Sequence, residues 1–401
     1  MLRRRSIGRP FQLLWWAVVV SSTGDGMFIT AFPLLAVTLT GDPLLIAGVT
    51  IAARAPWLLF SMITGAIADR MDRRRLMVGA DVVRVVIVGA FGITIALDAA
   101  NIWMLYGCAF LLGIGETLHV NAGQAILPAM VVPGELMEAN ARFASGQIAT
   151  AQFIGPPLGA LMFNAAAALP FLADAVSFAG SAALLAATPD VHAVEPPTTR
   201  LRDDVRDALV YIWHHRPLRR LTEMLTLINF FSFSASSLLV LYTKQRLHSG
   251  TVVYTALLFG AAAGTVLSRW FVTRMWKRLG TVRTMRVSFW LWATALTGLA
   301  FTTSPLMAIA MYVLLGVGNG LWLVVNTTVR QRMTPRALMG RMNAVHRTVS
   351  WGVVPFGAAF GGWLAKLFGL RAPFFVAAAA LLVVAAFGAR IMRPLLNTDA
   401  P

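Results

Sequence analysis

The chain has 401 residues, of which 58% are hydrophobic and 13% charged, about half the charged share of an ordinary globular protein. Its mean hydropathy of +0.70 leaves too little polar surface to cover a water-soluble particle. A net charge of +17 on a soluble domain would point to nucleic acid; here long apolar stretches separate the basic clusters, so the composition is that of a membrane protein with the lipid bilayer, not nucleic acid, as its surroundings.

Other classes are excluded by scarcity. One cysteine, Cys108, allows neither an intramolecular disulfide nor a cysteine-based zinc site. No His/Cys/carboxylate spacing suggests a metal, and no bound cofactor is expected. The three lysines, Lys244, Lys277 and Lys366, lie outside any phosphate-binding loop, so the chain does not read as an ATPase. No Ser/His/Asp arrangement rises above chance, which argues against an enzyme.

In chain order, Arg3, Arg4, Arg5 and Arg9 precede an apolar run from about Phe11 to Thr40. That run exceeds the roughly 7–15 apolar residues of a signal peptide and reads as a retained first span. Breaking at charges and turn residues predicts spans at 12–40, 44–69, 76–98, 102–127, 139–166, 168–188, 221–243, 251–275, 285–304, 306–329, 340–366 and 372–393. These are twelve transmembrane helices of an all-α membrane protein. Ends on the side of the N-terminus carry 26 of the 34 basic residues, which places both termini in the cytoplasm. The predicted organisation is an N-terminal six-helix bundle over 1–190, a cytoplasmic linker over 191–220 and a C-terminal six-helix bundle over 221–401. In the linker Leu201, Val205, Ala208, Leu209, Ile212 and Trp213 recur at helical spacing, as in an amphipathic helix on the membrane face.

The second half repeats the first at an offset of 202–204. Gly113-Ile114-Gly115-Glu116 lies against Gly316-Val317-Gly318-Asn319, and Arg70-Met71-Asp72-Arg73-Arg74 against Arg274-Met275-Trp276-Lys277-Arg278. Pro133, Leu136 and Asn140-Ala141 lie against Pro335, Leu338 and Asn343-Ala344. Two parallel halves of six helices describe a transporter rocking about a midplane site.

Charges within spans cost at least ~2.5–3.5 kcal/mol each unless solvated or paired, and so mark function. Asp25 and Glu116 fall near the middle of spans one and four, where the repeat places Asn229 and Asn319. Two roles stay open for the carboxylates: proton-coupling sites, or partners of an intramembrane arginine, with Arg54 of span two the expected one. Asp81 and Arg84, three apart on span three, are expected to form a pair on one helix face.

The turn Gly65-Ala66-Ile67-Ala68-Asp69-Arg70-Met71-Asp72-Arg73-Arg74 resembles a loop motif of the major facilitator superfamily, with Ile67 for a leucine and Asp72 for a second glycine. The stretches Ile126–Pro128, Val132–Leu136, Ala139-Asn140 and Asp174–Phe178 look like the branch holding macrolide-efflux and enterobactin-exporter proteins. The resemblance implies the twelve-helix fold, a conformational latch at Gly65, Asp69, Arg70, Arg73 and Arg74, and a central cavity lined by spans one, four, seven and ten. On those helices the implied substrate contacts are Phe28, His119, Asn121, Gln124, Asn229, Phe233, Asn319, Trp322 and Asn326. Gly155-Pro156-Pro157-Leu158-Gly159 keeps the core of a glycine-rich signature of drug:proton antiporters, while Arg142 and Ala151 stand at its upstream glycine positions. Gly155, Pro156 and Gly159 could equally serve close helix packing alone. The expectation is a monomeric secondary transporter exporting an amphipathic small molecule, drug or metabolite, in exchange for protons. A dedicated siderophore or metabolite exporter is the alternative. A non-transporting receptor or a membrane-embedded enzyme fits the repeat less well.

Overall fold

The computed structural model describes residues 8–189, 210–334 and 339–392. Among them the helices fall into twelve membrane-length rods with no strand. The first four rods are single helices: α1 (Arg9–Leu39), α2 (Pro43–Arg70), α3 (Arg73–Ala96) and α4 (Ile102–Met130). The fifth is α5 (Leu136–Ile148) and α6 (Gly155–Ala165), joined through a π-helical segment at Ala149–Ile154, and the sixth is α7 (Leu169–Ala186). The seventh is α8 (Arg216–Ser236) with the short α9 (Leu239–Gln245); α10 (Thr251–Ser268), α11 (Val272–Phe301) and α12 (Pro305–Met333) follow. Then come α13 (Met339–Gly352) with α14 (Val354–Phe368), and α15 (Ala372–Met392). Eight of these helices are long and apolar enough to cross a membrane. Of the predicted amphipathic linker helix, residues 210–214 are described: they are helical, with Ile212 buried against Leu218, Met342 and Val345 and Trp213 exposed. Its earlier residues, and Pro335 and Leu338 of the repeat, lie outside the described residues.

Short polar side chains set the helix starts. Asp72 accepts from the Arg75 amide at 3.0 Å and caps α3, which gives a reason for an acid where the resembling motif has glycine. Asn101 caps α4 through the Trp103 and Met104 amides at 3.1 and 3.0 Å. Each cap satisfies an N–H the helix cannot, worth ~1 kcal/mol. Two boundaries differ from expectation. The span read as 251–275 closes at Ser268, and α11 starts at Val272 and bends at Gly280. Arg274, Lys277 and Arg278 explain the early closure, since three cations cannot sit in hydrocarbon beside Val272 and Met275. Span five, read as one helix, widens into its π segment just ahead of Pro156-Pro157. Those prolines supply no N–H and their rings crowd the preceding carbonyls, so the α ladder cannot run through.

The described residues of Met1–Leu39 and Ala52–Thr198 form one compact unit, and those of Thr40–Ile51 and Thr199–Pro401 a second. In the first, α1 packs on α6 and α7, and α3 on α4 and α7. The second repeats this pairing with α8 on α14 and α15, and α11 on α12 and α15. Glycines allow the tightest contact in each. A Cβ on Gly155 would stand 2.5 Å from the Gly26 Cα, and one on Gly159 2.6 Å from the Met27 carbonyl oxygen. The glycines 202 positions later do the same, Gly357 against Phe230 and Gly361 against Ser234.

Candidate functional site

In the first unit an ionisable layer lies between two apolar ones. Along α1, Leu14 and Val18 precede Asp25 and belong to a core shared with Met77, Ile126 and Leu185. Phe28 and Phe32 follow it and pack on Phe171, which also meets Phe91. Between these layers is a small open cavity. Asp25, Arg84, Glu116, His119, Gln124 and Gln147 supply much of its polar lining.

Arg84 is the centre of the layer and is 1% exposed. Its Nη1 lies 3.6 Å from Asp81 Oδ1 and its Nη2 3.8 Å from Asp25 Oδ1. The guanidinium also sits 4.6 Å from the centroid of the Phe178 ring, where the ring's negative face is attractive to a cation. Gly115 on α4 leaves the room for this long side chain, since a Cβ there would fall 2.9 Å from Arg84 Nε.

Asp81 is fully buried. Its Oδ1 lies 3.0 Å from His119 Nδ1, and its Oδ2 accepts from Ser181 Oγ at 2.6 Å. Asp174 on α7 is also fully buried, with Oδ1 accepting from Ser177 Oγ at 2.8 Å and Oδ2 without a partner. Glu116 Oε2 accepts from Trp57 Nε1 of α2 at 3.2 Å. Four carboxylates thus share a low-dielectric layer with one arginine and one histidine.

The residues expected from sequence divide sharply. Asp25, Glu116, His119 and Gln124 line the cavity. Arg84, expected to pair with Asp81 on its own helix, reaches Asp25 as well; Arg54 is half-buried on α2. Phe28 belongs to the aromatic layer. Asn121 gives its amide to Ser61 O and Thr64 Oγ1 at 3.0 and 2.9 Å, which ties α4 to α2 rather than leaving it free for a ligand.

In the second unit Asn229 donates to Ser350 O at 2.6 Å, and Phe233 meets Trp351 edge-on. Trp322 is buried against Phe289 and Trp292, Asn326 is buried with Oδ1 unpartnered, and Asn319 is exposed. At an offset of 203–204, Asp81, Arg84, His119 and Asp174 correspond to Met285, Ser288, Trp322 and Ala378. The ionisable layer therefore has no counterpart in the second half.

At the loop motif Gly65 is half-buried and Arg70 exposed. Arg73 donates to the carbonyls of Ala68 at 3.3 Å and Ala125 at 3.0 Å, joining the starts and ends of α2, α3 and α4. Arg74 donates to Leu185 O and Ala186 O, carbonyls at the C-terminus of α7, where a cation is favourable. The Asp69 side chain lies outside the described residues. Gly155, Pro156 and Gly159 face α1, and Pro156 O accepts from Thr30 Oγ1 at 3.1 Å.

Sequence reasoning missed Asp174 and Ser181. A signal existed: Asp174, Ser177, Phe178 and Ser181 repeat at helical spacing, and Asp174 is the one acid in the span read as 168–188.

Two repeated helical units, one carrying an ionisable cavity, define a multi-pass membrane transporter of the major facilitator type and not an enzyme. The chain belongs to the transmembrane secretion effector family of that superfamily, whose model matches residues 7–400. Over 409 residues it is 26% identical to the multidrug efflux pump Tap of Mycolicibacterium fortuitum, covering 95% of this chain and 96% of that one. It is 24% identical over 158 residues to macrolide efflux protein A of Streptococcus pyogenes, 38% of each chain. Among solved structures, a bacterial homologue of the iron transporter ferroportin, inward-facing, matches with a TM-score of 0.75 at 17% identity over 97% of this chain and 100% of that one. A bacterial homologue of the lysosomal transporter Spinster, inward-facing and occupied, matches at 0.77 and 14% identity over 98% of both. The relatives are bacterial, and the protein is placed with them in the cytoplasmic membrane.

Proposed function

We propose that this transporter exports an amphipathic small molecule, with protons entering in exchange through the cavity of the first unit. The observation that carries the reading is the charge imbalance around Arg84. Asp25 and Asp81 share the Arg84 guanidinium, His119 lies against Asp81, and the buried Asp174 and the cavity-lining Glu116 belong to the same layer. Carboxylates grouped in low dielectric do not all ionise together. The layer must hold protons or a cation to be neutral, and Asp25 and Glu116 are the carboxylates that the cavity reaches. The apolar helices that surround this polar cavity suit an amphipathic compound better than a heavily charged one. The full-length similarity to a multidrug efflux pump supports the direction of transport. The loop arginines Arg70, Arg73 and Arg74, with Gly65 and Asp69, act as the latch between conformations.

The test uses purified protein in proteoliposomes with an imposed proton gradient and two probes, ethidium and erythromycin. Gradient-driven accumulation of either, with matching proton movement reported by an internal pH dye, is the expected result. Glu116→Gln and Asp25→Asn should each abolish the proton movement. Full gradient-driven transport in both variants excludes these carboxylates from coupling.

A further inference from the structure

The proton-coupled reading names the groups at the cavity but not what decides which of them Arg84 serves. Arg84 stands 3.6 Å from Asp81 and 3.8 Å from Asp25, nearly equidistant from two carboxylates on different helices. One guanidinium cannot fully neutralise both. His119 is the third party: its Nδ1 is 3.0 Å from the same Asp81 oxygen that faces Arg84. The imidazole also lines the cavity.

We infer that His119 is the switch that apportions Arg84 between Asp81 and Asp25. This rests on the proton-coupled reading above and deepens it. A protonated His119 neutralises Asp81 and frees Arg84 for Asp25, which then stays ionised. A neutral His119 leaves Asp81, fully buried, with Arg84 as its only cation among the described groups. The guanidinium is then drawn to Asp81, and Asp25 becomes the group ready to take a proton from the cavity.

The surroundings fit this role. Asp81 of α3 lies against the ring, and Arg84 of α3, Asp25 of α1 and Glu116, one turn earlier on the same helix, line the cavity with it. Asp174 of α7 lies behind Arg84, next to Gly24 of α1. The other cavity-lining side chains from α5, Phe143 and Gln147, bring no charge. Ser181 holds the second Asp81 oxygen at 2.6 Å, so Asp81 stays in place while its counter-charge changes. His119 is thus a positioning residue acting through Arg84, and not the substrate contact expected from its place on span four.

The experiment reads Asp25 and not His119. Purified full-length protein in lipid is titrated with pH, and the protonated-carboxyl stretch is followed by difference infrared spectroscopy. The band that disappears in Asp25→Asn is assigned to Asp25. In His119→Gln its midpoint should rise by about one pH unit, and in His119→Lys it should fall by a similar amount, as expected for one charge moved at this range. His119→Gln by itself decides the question if His119→Lys does not insert. An Asp25 band whose midpoint is the same in wild type and His119→Gln overturns the switch while leaving proton coupling intact. The absence of any Asp25 band in wild type overturns the assignment of Asp25 as a coupling group, and the switch with it.

Discussion

The Arg84 guanidinium lies 3.8 Å from the Asp25 carboxylate, which joins the third rod to the first inside an otherwise apolar bundle. Fifty-nine positions separate the two residues in the chain, and no spacing rule connects them. Arg84 also answers the charge of Asp81, so stability and transport meet in one side chain.

Replacing Arg84 therefore tests both. In Arg84→Met the buried Asp81 keeps only His119 as a counter-charge, and removing one partner of a buried pair costs about 3–5 kcal/mol. The thermal midpoint of the detergent-solubilised protein should fall by several degrees. Asp81→Asn combined with Arg84→Met should recover part of that loss, because the stranded charge is gone.

The contact between α1 and α6 offers a purely steric test. A side chain on Gly155 would meet backbone of Thr23 and Gly26, which cannot swing away. Gly155→Leu should cost at least ~1–3 kcal/mol and lower the yield of folded protein in size-exclusion chromatography. Gly79→Ala, where nothing lies within 4 Å, is the control and should behave as wild type.

A pH effect is expected in the second unit at Asp42, which lies outside the spans, ahead of α2. Lys366 Nζ donates to Asp42 Oδ2 at 2.6 Å, and this hydrogen bond holds the Asp42 carboxyl below its ordinary value. A lowered value in the folded state means that the pair stabilises above the ordinary aspartate range and that this contribution is lost as pH falls through the folded value. The pair is partly exposed, so the effect is small, on the order of 0.5 kcal/mol. Thermal midpoints between pH 7 and pH 3 should show a component that Lys366→Gln removes. An identical pH dependence in wild type and variant would contradict it.

Arg73 tests the loop. Its two bonds to Ala68 O and Ala125 O tie α2 to α4 at the cytoplasmic end. Hydrogen bonds from a charged donor contribute about 1.5–3 kcal/mol, so Arg73→Gln should slow export in everted vesicles roughly tenfold or more while membrane insertion stays normal. Unchanged export at equal protein level would remove Arg73 from the latch.

The number of rods and the repeat offset were legible without coordinates, because hydropathy and cation placement are local and additive along the chain. Twenty-six cations on one side of the membrane mark alternate ends of the spans whatever the helices do laterally. Breaks inside rods, such as the π segment before Pro156, were less legible, since a proline in a membrane helix is tolerated whenever neighbours make good the lost hydrogen bond.

What sequence by itself determined is the membrane class, the topology and the scarcity of intramembrane charge, and it picked out Asp25, Glu116, His119 and Gln124, which the cavity gathers. Tertiary structure decided the partners. Asp81, Arg84, Asp174 and Ser181 sit on two different rods, and their convergence depends on which helix faces turn toward one another. That rotation is set by close contacts such as Gly155 on Gly26 and Gly115 beside Arg84. Periodicity identifies the face of a helix; only packing brings that face to another, and a buried charge takes its meaning from the side chain it meets there.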